Sequence, residues 1–215
     1  MSGFLRRLME NGGIPPLAYF FARFVARGCG VDEDGLVARS AALVSLRNLQ
    51  GDVCVDLGEY AERPLFGDDN EASPEHARAP ALGEWMEILA GASWVGRPGM
   101  YAPLILERQR LYLGKYWQYE QTVAEALRAR LESVAGLDSD RLADGLLRLF
   151  REVQDGETDW QKVAAAIAVS RRFAVISGGP GTGKTTTVVK VLALLLEQDP
   201  GLHIALAAPT GKAAA

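Results

Sequence analysis

The sequence is short of the features that would place it in a class at once. Among 215 residues it has only two cysteines, Cys29 and Cys54. They lie far apart with no His or Cys cluster beside them, which excludes a disulfide scaffold and a thiolate metal spacing. They read as reduced, buried thiols of a cytoplasmic protein. A long apolar run is also missing. Arg6 and Arg7 are followed by Glu10, Asn11, Gly12 and Gly13, where a signal peptide would place an apolar segment. The stretch Leu17–Ala26 is interrupted by Arg23. Nothing approaches the ~20 apolar residues that span a bilayer, so a soluble protein with no membrane partner is expected. Charge of one sign is scarce as well. With 23 Lys/Arg against 27 Asp/Glu, the net is −4, which excludes a basic coat for nucleic acid. Internal repeats and low-complexity tracts are absent.

What remains is a globular composition, 48% apolar, with enough side chain for a sizeable core. The length suits one large domain or two small ones. Charge is divided unevenly between the ends. Residues 1–160 carry 17 Lys/Arg and 25 Asp/Glu, a net of −8; residues 161–215 carry 6 and 2, a net of +4. This points to two domains with different partners, the basic one facing phosphates.

Pro15-Pro16 opens a helix ending near Gly28 or Gly30. Its residues Leu17, Phe20, Phe21, Phe24 and Val25 share one face by spacing. That face is either a core face or, given the density of aromatics, a docking face. A second helix runs from Gly35 or Leu36 to Leu49. Val53, Val55 and Leu57 then alternate with polar positions, as in a half-buried strand. Residues 61–80, with three prolines and five acidic residues, read as a surface loop. A short helix follows at Leu82–Ala90. Leu104–Leu106 and Leu111–Leu113 form a hairpin. Helices are expected over Lys115–Val134 and Asp140–Phe150, and residues 152–158 read as a connection.

Beyond it the pattern changes. An alanine-rich helix, Trp160–Ser170, precedes an apolar strand, Phe173–Ser177. A glycine-rich loop, a helix over Lys184–Gln198, a turn and a second apolar strand, His203–Ala208, complete one βαβ unit of a buried parallel sheet. The expected fold class is therefore mixed. A mainly α-helical front with a small β-hairpin, residues 1–152, precedes the start of an α/β phosphate-loop domain, residues 153–215.

The loop Gly178-Gly179-Pro180-Gly181-Thr182-Gly183-Lys184-Thr185 matches G-x-x-x-x-G-K-[ST] in full, and Thr186 follows. Its glycines let successive amides turn toward one phosphate. The helix that starts there turns its positive end to the same anion. Lys184 supplies a mobile charge for the β- and γ-phosphates, and the Thr185 hydroxyl can ligate Mg²⁺. ATP and Mg²⁺ are the expected cofactors, with Lys184 and Thr185 as catalytic residues. A later loop, Pro209-Thr210-Gly211-Lys212, ends the second strand. By spacing it is either a plain strand–helix turn or a contact for a nucleic-acid phosphate.

Three runs carry a family resemblance: Asp159–Ala166, Val175–Thr187 and Leu206–Ala215. They resemble the superfamily 1 DNA helicases, and among them the RecD family, the alpha subunits of exodeoxyribonuclease V (the RecBCD complex). Weaker likeness extends upstream to Val53-Cys54-Val55, Pro103–Leu106, Arg110–Leu113 and Thr122-Val123-Ala124. The resemblance implies a RecA-like motor domain. It makes Gln161 the glutamine that reads adenine, assigns Gly181, Gly183, Lys184, Thr185 and Thr186 to ATP phosphates, and places Pro209–Lys212 on the backbone of single-stranded DNA. It implies a 5′-to-3′ motor in double-strand break repair, with RecB-like and RecC-like partners docked by the acidic front. Only 31 residues follow Lys184, too few for the later carboxylates, the arginine and the second RecA-like domain of that family. The expectation is thus an amino-terminal piece of a helicase subunit, inactive alone. Two alternatives remain open: a non-catalytic docking piece, and a free-standing RecD-like helicase.

Overall fold

The computed structural model describes residues 3–67, 78–131, 134–150 and 157–208. The chain divides into two compact units, Met1–Val123 and Ala124–Ala215.

In the first unit, α1 (Phe4–Glu10) precedes two longer helices, α2 (Pro16–Cys29) and α3 (Leu36–Leu49), which pack on each other. Pro16 starts α2, where its missing N–H costs nothing. Gly30 ends it in the left-handed conformation, and the Val31 N–H returns to the Ala26 carbonyl at 3.0 Å. The buried face of α2 is Ala18, Tyr19, Ala22, Val25 and Ala26. Opposite it, α3 buries Val37, Ala38, Ala41, Ala42 and Ser45. Small residues on both sides let the two backbones come close.

Of the two readings of the aromatic face, this overturns the core one. Leu17, Phe20 and Phe24 are 61%, 58% and 56% exposed, and Phe21 is half-buried. Of the five residues expected on one core face, Val25 alone is fully inside. The large side chains lost the core to alanines, which fit the close approach of α3. Phe24 instead meets Trp94 edge to face, ring centroids 4.9 Å apart.

The expected hairpin is the middle of a larger sheet. Strands β1 (Cys54–Asp56), β2 (Val95–Gly96), β3 (Leu104–Glu107) and β4 (Arg110–Leu113) are ordered β1-β4-β3-β2. β1 and β3 flank β4 antiparallel, while the two-residue β2 runs parallel to β3. Val53 lies outside β1 and is 47% exposed, whereas Val55 and Leu57 are buried as expected. The one-turn helix α4 (Leu57–Tyr60) is capped by Asp56, whose carboxylate also accepts from the Gln109 amide at the hairpin tip. Helix α5 (Leu82–Ala90) carries Trp85 into the core, where its indole N–H donates to Ser40 Oγ at 2.8 Å. The described part of 61–80 is irregular, with one isolated bridge between Pro64 and Arg78. Both cysteines are free and half-buried. Burial pushes the Cys54 thiol up and the neighbouring Tyr112 phenol up to about 12, so both stay protonated at neutral pH.

Helix α6 (Gly114–Arg128) buries no residue and ends short of the expected Val134. The second unit contains α7 (Ser139–Leu149), α8 (Trp160–Ser170) and α9 (Lys184–Gln198). Leu142, Leu146 and Phe150 meet Ala165 and Val169 of α8 and Val191 and Leu194 of α9 in one small core. The division falls between Val123 and Ala124, so α7, which carries Asp140 and Asp144 beside Arg141 and Arg148, belongs with α8 and α9. Among the described residues, 173–177 and 203–208 are not strands. Val175 and Leu206 are 76% and 77% exposed. A strand needs a neighbour to exchange backbone hydrogen bonds with, and neither segment has one among the described residues. The βαβ unit read from the sequence is therefore present only as its loop and helix. No helix among the described residues is long and apolar enough to cross a membrane.

Candidate nucleotide-binding site

Three short pieces of the second unit converge at the start of α9. The first is the N-terminus of α8. The Asp159 carboxylate accepts from the Gln161 and Lys162 amides at 2.9 and 3.1 Å, which sets Gln161 in the first turn. The second is the exposed loop Gly178–Thr182. The third is Gly183 with the first turn of α9.

Gly183 caps α9 with φ at +75°, a conformation that L side chains rarely adopt. A Cβ there would also lie 2.7 Å from Gln161 Nε2. The backbone conformation therefore requires glycine, and a side chain there would also push the Gln161 amide aside. Gly181 is the other left-handed residue of the loop, with φ at +77°. Pro180 and Gly181 form the turn between them.

The loop is tied by side chains. Lys184 Nζ donates to the carbonyls of Gly178 and Gly179 at 2.7 and 2.6 Å. Thr182 Oγ1 donates to the Gly179 carbonyl at 2.9 Å, and Gln161 Nε2 donates to the Thr182 carbonyl at 3.1 Å. Gln161, named in the sequence only through resemblance, thus lies directly on the glycine-rich loop. Thr185 and Thr186 are exposed at the same end, and Thr187 is buried, its hydroxyl donating to the Gly183 carbonyl. The spacing of Thr187 to Gly183, four residues, is the available signal for that back-bond.

The arrangement suits an anion. Amides in the first turn of α9 have no acceptor within their helix, and the helix dipole adds to their attraction for negative charge. Lys184 brings a full charge within reach. For Mg²⁺ the chain offers the exposed Thr185 hydroxyl, a hard oxygen ligand of the kind the ion takes beside phosphates and water. No cluster of His, Cys, Asp or Glu that could hold a metal ion is found among the described residues. The expected DNA contacts, Pro209, Thr210, Gly211 and Lys212, lie outside the described residues.

Residues 10–112 match the family model described as RecBCD enzyme subunit RecD, N-terminal domain, and residues 161–215 match the AAA domain. The RecBCD enzyme subunit RecD of Haemophilus influenzae is 35% identical over 232 residues, covering 100% of this chain and 36% of the relative. That of Mycobacterium tuberculosis H37Rv is 38% identical over 220 residues, covering 100% of this chain and 35% of the relative. The ATP-dependent RecD2 DNA helicase of Deinococcus radiodurans is 34% identical over 105 residues, 49% of this chain and 14% of that protein. The chain spans about a third of the length of the RecD relatives that match it end to end.

Proposed function

As the chain belongs to the RecD family of RecBCD enzyme subunits, we propose that it is the docking and ATP-binding part of a DNA helicase subunit. The carrying observation is the tied loop at 178–184 with Gln161 upon it. In this reading Gln161 offers its amide to the adenine edge, a group that donates and accepts at once. Gly178–Gly183 and the first amides of α9 surround the phosphates, with Lys184 neutralising their charge. Thr186 closes the phosphate site beside Thr185. Bound Mg²⁺ would supply charge neutralisation between phosphate oxygens, with Thr185 as a ligand. Pro209–Lys212 contact the backbone of single-stranded DNA.

The motor moves 5′-to-3′ on single-stranded DNA in double-strand break repair and recombination, in the cytoplasm. The full-length protein is expected to show ATPase stimulated by single-stranded DNA and to unwind duplexes with a 5′ tail. Unwinding only from a 3′ tail would reverse the assigned direction. ATPase indifferent to DNA would sink the helicase reading.

The partners in this reading are RecB-like and RecC-like subunits. The name of the relatives refers to a multi-subunit enzyme, and the outward face of α2 is the candidate contact. Leu17, Phe20 and Phe24 are more than half exposed there, an uncommon placing for three large apolar groups. Phe20→Ser with Phe24→Ser is expected to lower co-purification with those subunits by about tenfold, with little loss of fold. Undiminished association, or purification of the unmodified protein alone, would move docking elsewhere or favour a free-standing helicase.

A further inference from the structure

Helix α7 precedes the phosphate loop by about 30 residues and belongs to no motif. Yet it is the element that holds the far end of the phosphate-loop helix. Its Leu142, Leu146 and Phe150 fall on one face and are buried against α8 and α9. Gly145 lies between them at the closest approach to α9. A Cβ there would lie 2.5 Å from Leu194 Cδ2 and 3.0 Å from Glu197 Oε2. Leu194 is 1% exposed, so a side chain at 145 would have to displace a buried leucine.

Polar contacts lock the same junction. Asp138 N donates to Gln198 Oε1 at 3.0 Å, and Gln198 Nε2 donates to the Asp138 carbonyl at 3.1 Å. This two-way bond needs an amide; a carboxylate could not donate. Arg141 Nη1 donates to the Glu197 carbonyl at 2.9 Å, in the last turn of α9, where carbonyls lack helical partners. Arg148 Nη2 pairs with Glu197 Oε1 at 2.6 Å. Nearer the middle of α9, Lys190 Nζ stands 4.0 Å from the centre of the Phe150 ring.

Helix α9 is therefore gripped at both ends. Gln161 of α8 holds the loop at its start, and α7 holds its last turn. A 15-residue helix is a stiff rod roughly 22 Å long. Fixing its far end fixes where its first turn points. We propose that α7 is a built-in part of the nucleotide-binding unit, and that Gly145 and Gln198 are positioning residues for the phosphate loop, acting through α9. The proposal rests on the nucleotide-binding reading above. It extends that unit upstream of the region where charge changes sign, and assigns work to residues that touch no nucleotide.

The test is binding of a fluorescent ATP analogue to the full-length protein, with circular dichroism and thermal melting alongside. Gly145→Leu improves the propensity of α7 itself, since leucine is the better helix former, so a loss of affinity cannot come from a weaker α7. It is expected to raise Kd by about fivefold or more, because displaced loops bind poorly. Adding Leu194→Ala makes room for the new side chain and is expected to restore Kd to within about twofold. Gln198→Glu, isosteric and near the surface, is expected to raise Kd by about threefold. Leu147→Ala, at a position 63% exposed, serves as the neutral control. Gly145→Leu and Gln198→Glu both folded and both within about twofold of the parent would overturn the proposal, as would a second-site change that restores nothing. If Gly145→Leu does not fold, Gln198→Glu decides alone by the same limit. A parent protein that binds no analogue at all would overturn the nucleotide reading and this one with it. A parent that binds beside variants that bind equally well would overturn this one only.

Discussion

Lys184→Ala is expected to lower DNA-stimulated ATP hydrolysis by the full-length protein by well over tenfold, on the order of 10²-fold. The lysine places a full positive charge on the loop, its Nζ within 2.7 Å of two loop carbonyls. Those carbonyls are weak partners beside a triphosphate, which carries formal charge. The ammonium can follow the phosphates as charge builds on them, and a methyl group cannot. Alanine also removes the lysine's own bonds to the Gly178 and Gly179 carbonyls, so binding should suffer together with turnover. Steady-state ATPase with and without single-stranded DNA checks this, with circular dichroism to show an intact fold. Unchanged stimulated ATPase would mean that this loop is not the hydrolytic site.

Trp85→Ala is expected to destabilise the first unit by about 3–5 kcal/mol. Trp85 is fully buried, and its N–H reaches the Ser40 hydroxyl, which in turn donates to the Leu36 carbonyl at 2.7 Å. The indole thus joins α5 to α3 by packing and by a buried hydrogen bond. Alanine leaves a cavity and takes the donor away. Against a total stability of roughly 5–15 kcal/mol for a domain, such a loss is large. Denaturant melts followed by circular dichroism measure it. A change below about 1 kcal/mol would show that the core closes around the gap. Leu17→Ala, at an exposed position of α2, is the matched case with almost no expected cost.

The phosphate loop was legible in the sequence because its chemistry is local. Glycines at 181 and 183 need only their own backbone to be understood, and Lys184 follows at fixed spacing. Helices α5, α8 and α9 were legible for a similar reason: each has its own apolar periodicity or capping residue. The face of α2 was not. Hydropathy ranks Phe above Ala, but a tight helix pair selects for size, and α3 presents Ala38, Ala41 and Ala42. Two overlapping stripes ran along α2, and the partner chose between them. Strand β2 was not legible because two residues carry no alternation; β3 alone defines it. Helix α7 was read correctly as a helix, but its place on α9 depends on Gly145, a residue that by propensity argues only against helix. The segments 173–177 and 203–208 show the converse error. Apolar composition marked them as strands, yet a strand is a relation between two pieces of chain.

The first helix illustrates what a distant partner decides about time. Phe4 and Leu5 donate their amides to the Asp34 carboxylate at 3.0 and 2.8 Å, about thirty residues away along the chain. A helix of seven residues does not nucleate by itself in water. Closing a loop of that length costs entropy, which an already placed Asp34 and the burial of Leu5 in the core offset. Asp34 is placed by the turn between α2 and α3. The pairing of those two helices is therefore expected to precede α1 in folding, although α1 precedes both along the chain.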